Sequence, residues 1–267
     1  MTAAAPALPD SYRSAFAEFA TGRCEPDAIT RSRYSAFSRF ETLDLPARQQ
    51  EDWRLTELSS LWQWNLRQPA LVLADAGALP TLDQPAHRLI FVNGHYAPVL
   101  SQLRELPDQA LITNLGQALL THPELITPHL DRLPGLEQHP FSALNTAFWE
   151  DGALVYMPPG IVIETPIHLI FHTVGSDIAT YPRLLLVLDE GAQATVVVEY
   201  QGAGYYLNAP VTEVWLGDDA VLHYHTVQQE SSQAYHFSGV RLKQGHNSAA
   251  NVHLLSFGAQ AARTDLD

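Results

Sequence analysis

Positive charge is scarce in this sequence. Lys243 is the only lysine, and 15 basic residues face 29 acidic ones, for a net charge of −14 over 267 residues. An acidic chain repels phosphate backbones and anionic headgroups, which argues against nucleic acid and membrane surfaces as partners. Thiols are scarcer still: Cys24, set between Arg23 and Glu25, is the only cysteine. No disulfide can form within the chain, and a reducing compartment is the simplest reading. Long apolar runs are missing too. The longest aliphatic run, Leu184 to Leu188, is far short of the roughly 20 residues that span a bilayer. The first ten residues carry neither a basic stretch nor an apolar one, so a secretory signal is not expected and the location should be cytoplasmic. Gly-x-Ser-x-Gly and Gly-x4-Gly-Lys-Ser/Thr are both absent, which argues against an elbow-type hydrolase and a phosphate-loop ATPase. The shortage of basic residues also argues against a lyase acting on acidic sugars.

What the sequence does contain changes character near residue 150. Before it, apolar spacing predicts helices over Ser11–Ala20 and Ala28–Phe40, and a shorter one over Phe141–Trp149. Thr113 or Asn114 is placed to cap a helix reaching Thr121, and Pro123 to open the next. Between these, Leu89–Val92, Asn93-Gly94 and His95–Val99 read as a β-hairpin, because Asn-Gly tolerates positive φ at both turn positions. After Gly152 charged residues thin out, and short β-branched and aromatic runs alternate with Gly or Asn turns. The expected strands are Leu154–Met157, Ile167–His172, Arg183–Leu188, Thr195–Tyr200, Val211–Leu216, Val221–Val227 and Val252–Phe257.

A weak repeat shapes this second half. Asp189, Gly217 and Gly245 are 28 residues apart, and Val196, Tyr224 and Val252 follow in the same register. Even positions are small or apolar and can face inward; the set holding His223, His225 and His253 is more polar and fits an outer face. Coils of this length stacked on one another describe a parallel β-helix, or β-solenoid. The fold class is therefore mixed α and β: a mainly helical region with a β-hairpin over 1–150, then a β-helix core over 151–267. Val196, Tyr224 and Val252 should stack inside, with His225 beside His253 outside.

The sharpest chemical pattern is Gly217-x5-His223-x-His225-x4-Glu230. Two histidines at i, i+2 with a following glutamate are a candidate facial metal site, similar to the first motif of the cupins. The following glycine arrives late, at Gly239, and no second motif supplies a further histidine. A cupin-like metal enzyme using His223, His225 and Glu230 is the alternative reading; metal content and strand direction separate the two. His168 and His172, flanking Ile170, fit ordinary packing with local hydrogen bonds, and Cys24 fits a bystander thiol.

Several segments together resemble the SufB/SufD family of iron–sulfur cluster assembly proteins. Ala47 through Thr56 resembles the family's Arg-x-Glu-x-Trp segment, and Phe91-Val92-Asn93-Gly94 resembles the hairpin of its SufD branch. Ala143 through Gly152 is similar to the lead into the family's β-helix. Pro182–Thr195, and Asn208–Glu213 with Val227–Ser231, are similar to its rungs. The resemblance implies a non-catalytic scaffold subunit working with SufB and SufC, the latter the ATPase. It implies no cofactor held stably by this chain alone, the iron–sulfur cluster belonging to the complex. A single cysteine agrees, since such clusters need several Cys or His ligands. Family members continue well past the position of Asp267, through the end of the β-helix and into a helical region that docks SufC. The resemblance therefore implies a shortened chain whose open end self-associates and which does not capture SufC. The family histidine at the SufB contact also falls beyond Asp267, so no site residue is carried over.

Overall fold

A computed structural model describes residues 10–23, 25–43 and 85–267, with Trp53, Arg54, Thr56, Leu58, Leu61 and Pro69 between them. Strand pairing organises the molecule. β4 (Gly152–Met157), β6 (Arg183–Leu188), β8 (Val211–Leu216) and the second half of β10 (Tyr235–Gln244) stack in parallel, with Gly152 opposite Arg183, Arg183 opposite Val211 and Val211 opposite Gly239. A second face is built by β1 (His87–Val92), β5 (Ile167–Thr180), β7 (Gln193–Asn208), β9 (Val221–Gln229) and β11 (Ala249–Ser256), also in parallel. The far ends of β5 and β7, the start of β10 and β12 (Ala261–Leu266) form a third. Each turn of chain lays one strand on each face, which is a parallel β-solenoid.

The 28-residue register holds residue by residue. Val196 pairs with Tyr224 and Tyr224 with Val252. Val196 and Tyr224 are fully buried; Val252, on the last rung, is half-buried against the same core. An aromatic ladder climbs the interior through Phe91, Phe171 and Tyr200, with centroids 4.6 and 5.5 Å apart. Two long strands turn a corner without breaking: β5 bends at an irregularity between Ser176 and Ile178, and β7 at Gly204. Gly204 has φ +113°, and a Cβ there would lie 1.9 Å from the Gly175 carbonyl oxygen, so only glycine fits.

The helices pack on the outside of the first face. α1 (Asp10–Ala20) and α2 (Asp27–Thr42) meet through Phe16 and Phe37, stacked at 4.2 Å, with Phe148 edge-on to both. α5 (Pro140–Phe148) is buried throughout, wedged between α2 and the sheet. β6 consequently has covered residues on both faces, Leu184, Leu186 and Leu188 inside the solenoid and Leu185 and Val187 under the helices. That double burial explains its unbroken aliphatic run. Arg33 of α2 donates to the carbonyls of Ala147 and Trp149 at 3.2 and 2.8 Å, satisfying orphan groups at the end of α5.

Two local expectations change. α3 (Leu115–Thr121) does begin after Asn114, but the Asn114 side chain makes no capping bond. Asp151 takes that role, accepting from the Gly116 N–H and from Asn114 Nδ2, both at 2.9 Å. The β1–β2 hairpin, with β2 at His95–Tyr96, is antiparallel as its Asn-Gly turn requires, but β1 also pairs in parallel with β5. It is the first layer of the solenoid rather than an insert among helices. Likewise β3 (Leu111–Asn114) runs antiparallel along β4. α4 (Pro123–Ile126) opens on Pro123 as expected. No helix among the described residues is long and apolar enough to cross a membrane.

Candidate functional site

The structure does not assemble the three residues of the candidate metal motif. His223 and His225 point outward from β9, the first exposed and the second half-buried, whereas Glu230 is buried inside. Strand alternation accounts for this: odd positions of β9 face out, even positions face in. The strands here are also parallel, which excludes the cupin arrangement of antiparallel strands. The alternative built on His223, His225 and Glu230 is corrected on both counts. Among the described residues, no group of three or more His, Cys, Asp or Glu gathers as a metal site.

Glu230 belongs instead to a polar chamber inside the later rungs. Asn208 Nδ2 donates to Glu230 Oε1 at 2.9 Å and Gln228 Nε2 to Oε2 at 3.1 Å. His236 Nδ1 stands 2.7 Å from Oε2, a close contact without hydrogen-bond alignment. Thr180 donates to Asn208 Oδ1 at 3.2 Å. Thr180, Asn208 and His236 occupy one register column on successive rungs. Burial raises the Tyr200 and Tyr206 hydroxyls well above their usual range, and the nearby Glu230 carboxylate adds to both. Beside this cluster lies a cavity of about 30 Å³, lined by Tyr200, Thr212, Tyr224, Gln228 and His236 among others. That is room for one water molecule. The apolar interior gives way at Thr173 and Thr180 on β5, which bond to each other and lead through Asn208 to Gln228 and Glu230. Sequence reasoning missed Asn208 and His236, although the 28-residue spacing from Thr180 marks both.

A second buried charge cluster ties the helical layer to the sheet. Arg183, fully buried, donates to Glu213, Asp131, Asn145 and Thr146. Glu213 also accepts the backbone N–H groups of Asp131 and Arg132. Burial pushes the Glu213 carboxyl up, while Asp131 and Glu213 outweigh the burial of Arg183 and keep it charged. This cluster is an anchor: it fixes the loop before α5 on the outer face of β6 and β8.

Of the two histidines expected to bond locally, His172 does not do so at Nδ1, which is buried without a partner. His168 is buried, with Nε2 3.0 Å from Glu199 Oε2, in agreement with local pairing. His225 and His253 pair in register across β9 and β11, their rings stacked at 4.9 Å and 15°. Cys24 lies outside the described residues.

The architecture defines a class: a parallel β-solenoid carrying an N-terminal helical layer, with buried polar clusters that anchor rather than converge on an open cleft. Comparison with known proteins gives the family. Residues 10–169 match the SufBD protein N-terminal region, and residues 171–267 match the SufBD core domain of the SUF iron–sulfur cluster assembly system. A SufBD family iron–sulfur cluster assembly protein of Synechocystis is 30% identical over 258 residues, covering 91% of this chain and 56% of that protein. SufBD family proteins of Staphylococcus saprophyticus and Staphylococcus aureus are 29% and 27% identical over 136 residues, 49% of this chain and 29% of each relative. The chain belongs to the SufBD family of iron–sulfur cluster assembly proteins. It spans about half the length of the Synechocystis relative.

Proposed function

We propose that the chain serves as a non-catalytic scaffold subunit in a cytoplasmic complex of the SufBCD type, in the SufD position. Its cargo is an iron–sulfur cluster that it helps to build without holding it alone. The observation that carries this reading is the consecutive match of the two SufBD regions along one chain. Two features support the non-catalytic, SufD-like part. With one cysteine, the chain lacks the thiolates that a protein-held cluster requires. The Phe91–Gly94 hairpin that resembles the SufD branch forms the solenoid's first layer.

Co-expression with SufB and SufC tests the assignment. The chain should copurify with SufB. Failure to retain SufB would contradict the proposed position.

A further inference from the structure

His225 and His253 are an unusual pair for a solenoid surface. They are direct partners on adjacent parallel strands, so their Cβ atoms project the same way from neighbouring backbones. Their ring centroids are 4.9 Å apart with the planes within 15° of parallel. Val197 precedes His225 in the same column on β7 and gives the pair an apolar flank. The charged group nearest in register on β7, Glu199, is already engaged by His168.

From this geometry we infer that His225 and His253 form a two-imidazole clip for a late first-row divalent transition ion, one that staples β9 to β11 on the outer face. Neutral imidazole is the ligand that copper, nickel and zinc favour. Zn–N bonds of about 2.0–2.1 Å at a tetrahedral ion set the two nitrogens about 3.3 Å apart. Coordination requires each ring to rotate about its Cβ–Cγ bond until one nitrogen of each faces a common ion, which breaks the stacked arrangement. Water completes the coordination. Glu230 takes no part, being inside the solenoid. The clip is independent of the proposed place in the SUF complex, since it needs only these two side chains.

Titration of the untagged 267-residue chain with Cu2+, Zn2+ and Mg2+ tests it. One equivalent of Cu2+ should bind more tightly than Zn2+, following the general affinity order, and Mg2+ should not bind. His225→Ala and His253→Gln should each weaken Cu2+ binding roughly tenfold or more, because one imidazole is then left to hold the ion. His246→Ala, an exposed histidine on the turn before β11, should leave binding unchanged. Zn2+ should raise the thermal midpoint of the wild-type chain and not of the two clip variants. Because both clip residues face outward, far-UV circular dichroism of the metal-free variants should match the parent. Electron paramagnetic resonance of the Cu2+ form should show coupling to two nitrogens. Binding that survives both substitutions, or a Cu2+ signal coupled to fewer than two nitrogens, would overturn the assignment.

Discussion

Arg183 carries its charge on a side chain with no exposed surface. It is fully buried between β6 and the helical layer, and its guanidinium is shared by Glu213 and Asp131. Removing one partner of such a group strands the others, a loss of about 3–5 kcal/mol. Arg183→Ala should therefore lower the urea unfolding free energy by about that amount, whereas Arg132→Ala, exposed and bonded to Thr127 O, should change it by less than about 0.5 kcal/mol. Equal effects would mean that the cluster does not anchor the helices. Asp265 gives a second residue-scale test. Burial alone would raise its carboxyl, but His139, 3.0 Å away, and Arg263, at 2.9 Å, hold it at about 2, below its usual 3.8. A depressed carboxyl stabilises above its unfolded pKa and loses that contribution as pH falls. Acid unfolding should accordingly include a component between about pH 4 and pH 2 that His139→Ala reduces; an unchanged acid limb would refute it. The sequence also held a residue-scale signal that motif matching overlooks. In a strand, His223 and His225 share a face that excludes any even-numbered neighbour, so Glu230 could not join them while β alternation persisted.

At the scale of elements, β6 and β8 have the bounds expected from sequence, Arg183–Leu188 and Val211–Leu216, because each begins after a proline and ends before turn residues. β10 and β12 were not legible. Tyr235–Gln244 is interrupted by Ser238-Gly239, and Ala261–Leu266 carries Arg263 and Asp265, so neither reads as a strand alone. Both are strands because a neighbouring rung supplies a parallel partner, a tertiary effect that local pattern does not contain. β5 and β7 extend beyond their apolar starts for the same reason, following one another around a corner through Gly175 and Gly204. The anchor cluster was hidden because Asp131, Arg183 and Glu213 are far apart in sequence, on a loop and on two different strands. The rungs should differ in what they contribute. Leu186, enclosed between Val155 and Val214, is fully buried; Leu254 on β11 is 40% exposed. Leu186→Ala should cost about 2–5 kcal/mol in denaturant unfolding, and Leu254→Ala less than about 0.5 kcal/mol. A comparable cost for the two would contradict the placement of the core.

For the whole molecule, stability comes from stacking, with each rung covering the apolar face of the last. On β11 and β12 that cover is thin. Leu255, Phe257 and Leu266 are 42%, 68% and 48% exposed, and among the described residues β11 pairs only with β9 and β12 only with β10. Exposed apolar side chains on strands with a free edge invite pairing with another chain. Light scattering of the isolated chain should therefore give a mass above its 29.5 kDa monomer, falling when Phe257→Lys and Leu255→Lys are introduced. A strictly monomeric parent would refute this. The central claim, however, concerns cargo. The proposed scaffold role requires that a chain with a single cysteine hold no cluster by itself and that the complex hold one. Anaerobic reconstitution with ferrous iron and sulfide, followed by visible absorbance and desalting, measures this directly. The account predicts stable cluster absorbance when SufB and SufC are present and none on the chain alone; a stoichiometric cluster retained by the isolated chain would contradict it.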